Sequence, residues 1–202
     1  MSFLTPTSVE DYVKIITYTV EKEWDSMIFE TEKIRFRKLE KDDMELLHRW
    51  QNDTTVHTNM STSIDLYSME DVEKFYERMK ESRSYIIIEK DGGKEVGSIT
   101  LVRENNQQQN AEFLLMIGEK EYWGEGYGKE ALLLFLNFVF MELNLHRISL
   151  KVFSFNEKAK SMYERMGFKV EGQLREVFFR NGEWHDIFIM GMLQDEYRTM
   201  YT

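Results

Sequence analysis

The sequence predicts an α/β fold of the α+β type: a mixed, mostly antiparallel central sheet with helices on both faces. Three observations lead there. Asp91-Gly92-Gly93 and Arg180-Asn181-Gly182 each separate two strand-like runs, the signature of a tight hairpin turn. The apolar segments Ala111–Gly118 and Arg147–Phe153 flank the helical run Ala131–Leu143, which reads as a strand–helix–strand crossover. The remaining periodic stretches complete the order βααβββαβαββ, which no all-α or all-β layer accommodates.

Composition narrows the class. Of 202 residues, 42% are apolar and 31% charged, enough apolar mass for one domain with a sizeable core and too much for a disordered chain. There is no cysteine, which removes disulfides, cysteine zinc sites and a thiol nucleophile. The N-terminus MSFLTPTSVEDY lacks the basic start and apolar centre of a signal peptide, and the longest apolar run, Ala131–Met141, is too short to cross a bilayer. A cytoplasmic protein without membrane contact is expected. A net charge of −10 argues against nucleic acid and, by long-range steering, favours a cationic partner.

The elements follow in order. Val9, Tyr12, Val13, Ile16, Val20, Trp24 and Met27 recur at helical spacing, so residues 8–28 are expected to form an amphipathic helix, with Thr7 and Glu10 as its cap. Its apolar stripe must be covered, by the same chain first and by a second copy otherwise, which leaves a homodimer open. Lys33–Leu39 alternates as a strand, and Met44, Leu47 and Trp50 lie on a helix after it. Gln51–Met69 shows no sustained period, and its Tyr67, Asp65 and His57 are candidates for a substrate wall. A helix over Ser68–Glu81 precedes strands at Ser84–Glu89 and Glu95–Arg103, and Asn105–Asn110 reads as a hairpin tip. After the crossover come a helix over Asn156–Met166, ended by Gly167, and strands at Lys169–Arg175 and Glu183–Leu193.

Two stretches carry chemistry. In Tyr122–Ala131 (YWGEGYGKEA), Gly124, Gly126 and Gly128 lie between a strand and a helix, where backbone N–H groups and the helix dipole favour a phosphate. The spacing fails the dinucleotide fingerprint, and Glu130 after Lys129 fails the P-loop. Asn156–Phe168 (NEKAKSMYERMGF) reads as a helix with Ala159, Met162, Tyr163 and Met166 along one side, ended by Gly167. No G-x-S-x-G elbow is present, and His48, His57, His146 and His185 show no ligand spacing, so no metal is expected.

Together these motifs resemble the GNAT-superfamily N-acetyltransferases. The loop matches Q/R-x-x-G-x-G/A except for Trp123 in the first position, and the second stretch matches N-x-x-A-x-x-x-Y-x-x-x-G-F throughout. The resemblance runs from Glu32 to about Met192 and implies a GNAT-like acetyltransferase domain over residues 32–202, with residues 1–31 as an added helix. The phrasing of AEFLLMIG, YWGEGYGKEA and MGFKVEGQLREVFFRNGEW is similar to two groups, the ribosomal-protein N-terminal acetyltransferases and the spermidine acetyltransferases.

What the resemblance implies is specific. Acetyl-CoA is the donor, its pantetheine lying in a V-shaped gap between the Ala111 and Arg147 strands. Met116, Ile117, Gly124, Glu125, Gly126, Tyr127, Gly128, Lys129, Asn156 and Lys158 bind it. Tyr163 protonates the leaving thiolate, and Glu112 serves as base through a water, with Glu171 and Glu176 ranked below it. The acceptor is a primary amine on a peptide or small molecule. A polyamine is the alternative, set back because Asp65 is alone in HTNMSTSIDLYS where spermidine enzymes cluster acids. A non-catalytic acyl-CoA sensor would keep the glycines but has no use for Tyr163. A structural protein dimerising through residues 8–28 has no use for either.

Overall fold

The computed structural model describes residues 28–202, so the helix expected over 8–28 falls outside the described residues but for its last position. Seven strands form one sheet: β1 (Ile34–Lys38), β2 (Arg83–Glu89), β3 (Glu95–Asn105), β4 (Asn110–Ile117), β5 (Arg147–Phe153), β6 (Lys169–Arg180) and β7 (Glu183–Leu193). Their spatial order is β1-β2-β3-β4-β5-β7-β6. Every neighbouring pair is antiparallel except β4 and β5, which the crossover helix makes parallel.

Helices cover both faces: α1 (Met44–Asn52), α2 (Thr54–His57), α3 (Met69–Lys80), α4 (Tyr127–Asn137), α5 (Glu157–Arg165) and α6 (Gln194–Tyr201). Successive residues of β2 show why two layers are needed. Ile87 packs into the larger core with α4 and α6, whereas Ile86 and Ile88 join Leu47, Trp50 and Val72 of α1 and α3 on the other face. In α4, residues Ala131–Leu136 are all buried, as expected of a helix enclosed on every side. A π-helical turn, Phe138–Glu142, continues it. Among the described residues no helix is long and apolar enough to cross a membrane.

Three features depart from the expected elements. The aperiodic stretch contains α2, a single turn whose first N–H groups are capped by the Asp53 side chain. Strand β6 runs on to Arg180, because a bulge between Leu174 and Phe178, with Glu176 at φ 48°, breaks the alternation without ending the pairing. The chain closes on α6, which buries Tyr197 and Tyr201 beneath the larger core.

One irregularity positions everything that follows. β4 and β5 pair only at Asn110–Arg147, Ala111–Ile148 and Glu112–Ser149. Beyond Glu112 and Ser149 the two strands part, and the sheet opens in its middle.

Candidate active site

The opening is the mouth of a cleft of about 1560 Å³, bounded by β4, β5, the glycine loop, α5 and the segment 59–62. All three glycines reach it. Gly124 and Gly126 adopt φ 82° and 85°, and a Cβ added at either would meet nothing within 4 Å, so the backbone faces open space. Gly126 is the N-cap of α4, and the first helical bond runs from Glu130 N to Gly126 O at 3.0 Å. The N–H groups of Tyr127 and Gly128 therefore lie beyond the helix's own bonding and are directed at the cleft end of its axis. Gly128 sits inside the helix and not in the loop, because α4 starts four residues earlier than its apolar run.

Trp123 occupies the position where the resembling family carries Gln or Arg. Its indole N–H is spent on Ile117 O at 2.8 Å, which pins the loop to the end of β4. The side chains of Glu125 and Tyr127 are not part of the cleft wall. The Glu125 carbonyl accepts from Lys33 Nζ at 2.7 Å, and the Tyr127 ring lies against Lys33 and Tyr122. What these two residues can give a ligand is backbone N–H alone.

On the other wall, Asn156 caps α5, its side-chain oxygen accepting from Ala159 N at 3.2 Å and its amide NH2 left as a donor. Lys158, Ser161, Met162 and Arg165 line the cleft from successive turns of α5. Ser161 and Arg165 were not singled out in the sequence, though their spacing from Lys158 places them on one helical face. Lys129 lines the same end, its ammonium drawn below the usual lysine value by burial and by the charge of Arg165. A phosphate-bearing chain fits this end of the cleft, since open backbone and clustered cations face the same volume.

Tyr163 lies deeper, 8% exposed, with its ring edge-on to Phe113 and Phe168 at 6.1 and 5.8 Å between centroids. It lines the cleft, and among the described residues none bonds its hydroxyl. Burial pushes its phenol well above the ordinary tyrosine value, so it is a neutral O–H donor at any working pH. Glu112 stands at the vertex where β4 and β5 part. Its Oε2 receives Arg103 in an ion pair and Lys151 Nζ at 3.7 Å, while Oε1 is bonded to nothing among the described residues. Met116 and Ile117 continue the β4 wall.

Other candidates fall elsewhere. Glu171 is paired with Arg147 on the outer hairpin, and Glu176 sits at the β6 bulge with its N–H on Asp186 at 2.7 Å; neither reaches the cleft. Tyr67 Oη and Ser63 O share His57 Nε2, at 3.1 and 3.0 Å, so the two side chains are tied into the loop itself and neither lines the cleft. Asp65 is exposed and bonds the N–H of Leu66 at 2.8 Å. The wall itself is made by Asn59, Met60, Ser61 and Thr62. Arg180 holds it there, donating to Thr58 O and Ser61 O at 2.6 and 2.5 Å while its guanidinium stacks near Phe153, Phe155 and Phe178.

A family model described as an acetyltransferase (GNAT) domain matches residues 33–169. The chain is 32% identical over 169 residues to the spermidine N(1)-acetyltransferase of Escherichia coli K12, covering 81% of this chain and 88% of that protein. It is 32% identical over 101 residues to the putative ribosomal N-acetyltransferase YdaF of Bacillus subtilis, covering 50% and 55%. The structure of spermidine N-acetyltransferase from Vibrio cholerae in complex with CoA and spermine superposes with a TM-score of 0.75, at 29% identity, over 83% of this chain and 99% of that one. The geometry and the match over most of its length agree, and the chain belongs to the GNAT family of acetyltransferases, with acetyl-CoA as donor.

Proposed function

We propose that this chain transfers the acetyl group of acetyl-CoA directly to a primary amine, with Tyr163 as the acid and Glu112 as the proton acceptor through a water. The observation that carries the reading is the parting of β4 and β5 beyond Glu112 and Ser149, with Tyr163 and the glycine loop both lining the gap. When bound, acetyl-CoA supplies an acetyl group activated as a thioester. The backbone of Gly124–Gly128 and the α5 cations hold its phosphates, and the donor left free on Asn156 holds its amide arm. Tyr163 keeps a proton at Oη beside the sulfur's exit, and the free Oε1 of Glu112 receives the ammonium proton through one water.

The acceptor approaches from the side walled by residues 59–62. A peptide N-terminus or a small amine is the leading class. A polyamine is the second, favoured by the names of two of the relatives above. The test is thiol release from acetyl-CoA across small amines, peptides and spermidine, beside calorimetric binding of acetyl-CoA. Turnover with at least one amine supports the reading. Tight binding with no turnover on any amine would favour a non-catalytic sensor.

A further inference from the structure

The acceptor side of the cleft carries an arrangement that the transfer chemistry alone does not require. Glu112, Leu114 and Met116 share one face of β4, and Lys151 lies on the matching face of β5, two residues beyond Ser149, the partner of Glu112. On β3 the partner of Glu112 is Val102, so regular alternation would send Arg103 to the opposite face. It does not go there. A bulge between Val102 and Asn105, with Arg103 at φ 52°, turns its guanidinium back onto Glu112. A left-handed arginine is strained, and strain of this kind persists where the surroundings enforce it.

The floor beside these charges is apolar and open. Leu114 is 42% exposed although β4 lies inside the sheet, because the parting of β5 uncovers it. The wall at Asn59–Thr62 carries no charge. Of the two carboxylates that line the cleft among the described residues, Glu157 begins α5 beside Lys158 at the donor side, and Glu112 is shared by two cations. Among the described residues the acceptor side therefore presents two positive charges, one negative charge and a hydrophobic floor. The chain's net charge of −10 does not reverse this locally, since exposed charges are screened within about 8 Å at physiological salt.

Resting on the acetyltransferase reading above, we infer that the amine acceptor carries a carboxylate close to its reacting amine, and that Arg103 and Lys151 select it. A polycation would bring further positive charge to two cations that already share their one carboxylate. An amine bearing a carboxylate places its anion between Arg103 and Lys151, its stem on Leu114 and its nitrogen near Glu112 Oε1. Two sources share this chemistry: a peptide N-terminus followed by acidic side chains, and a small amino acid.

The test compares Ser-Glu-Glu-Ala and Ser-Lys-Lys-Ala peptides, β-alanine and spermidine as acceptors, with acetyl-CoA binding measured separately by calorimetry. Expected is a kcat/KM for an acidic acceptor about tenfold above that for Ser-Lys-Lys-Ala and spermidine, shrinking as salt rises. Preference for the acidic peptide or for β-alanine tells the two sources apart. Arg103→Gln and Lys151→Gln should each lower the acidic-to-basic selectivity by about threefold to tenfold, mainly through KM, and Arg103→Lys should restore part of it. A wild-type preference for spermidine or the basic peptide overturns the inference, as does a selectivity unchanged in both glutamine variants. If acetyl-CoA binds while the polycation wins, only this inference fails. If acetyl-CoA does not bind, the acetyltransferase reading fails and this one with it.

Discussion

Tyr163 lines the cleft while its ring packs edge-on against Phe113 and Phe168. Since no described residue bonds its hydroxyl, Tyr163→Phe should leave stability almost unchanged. A positioned general acid contributes about 10²–10⁴-fold, so kcat with a good acceptor should fall by that factor while acetyl-CoA affinity holds. A variant with full kcat would show that water protonates the sulfur. The pH profile adds a signed check. Because burial raises the phenol above its ordinary value, the acid is still protonated where a free tyrosine would ionise. Activity should rise with pH as the amine deprotonates and show no falling limb up to about pH 10. Tyr163 and Asn156 were singled out in the sequence through the resemblance of NEKAKSMYERMGF to the family pattern, and both line the cleft. Arg103 was not, since only a bulge places it beside Glu112, and neither was the inward turn of the Trp123 indole.

The glycine loop and the wall at 59–62 are the elements that shape the cleft. At Gly126, φ 85° and the empty space ahead of a Cβ mean that Gly126→Asp adds both backbone strain of about 1 kcal/mol and a carboxylate facing the phosphates. Calorimetry should show acetyl-CoA affinity down at least about tenfold, or 1.4 kcal/mol, in a protein that still folds. The wall depends on Arg180. Arg180→Gln leaves Thr58 O and Ser61 O without their charged donor, a loss of about 1–3 kcal/mol. KM for the amine should rise while the dissociation constant of acetyl-CoA stays put; parallel losses in both would show that the whole cleft has collapsed. The strands, the hairpins and the crossover helix were readable because each repeats its own period. The stretch 51–69 was not, since its order comes from Asp53 capping one short turn and from Arg180, more than a hundred residues away. The continuation of β6 beyond Arg175 was hidden by the same cause as Arg103, a bulge that breaks the two-residue rhythm.

For the whole molecule, the three tyrosines with the most strongly raised values tie the core to pH. Tyr163, Tyr197 and Tyr201 are each pushed up by burial, Tyr201 to about 12. In the unfolded chain they ionise near 10, so their contribution is fully present below that pH and is lost as pH rises through the folded values. Denaturant midpoints should hold from about pH 7 to 9 and fall steeply above about pH 10. Tyr201→Phe removes one titrating group and should flatten that fall, even though it also costs the bond to Met166 O at 2.9 Å. A midpoint indifferent to alkali would mean that these side chains are hydrated in solution.

The early end of the β4–β5 ladder has a further consequence, for the protein's life before it meets a ligand. Phe113–Ile117 and Leu150–Phe153 each turn one side of their backbone toward the gap, so the sheet carries two unpaired borders in its interior as well as those at its rim. Any extended chain of the right width can add itself there, including a segment of a neighbouring molecule. A newly made copy is thus open to invasion until its donor arrives, and the donor acts as a plug. Light scattering on gentle heating should begin earlier without CoA than with it, and amide exchange in those two segments should slow when CoA is added.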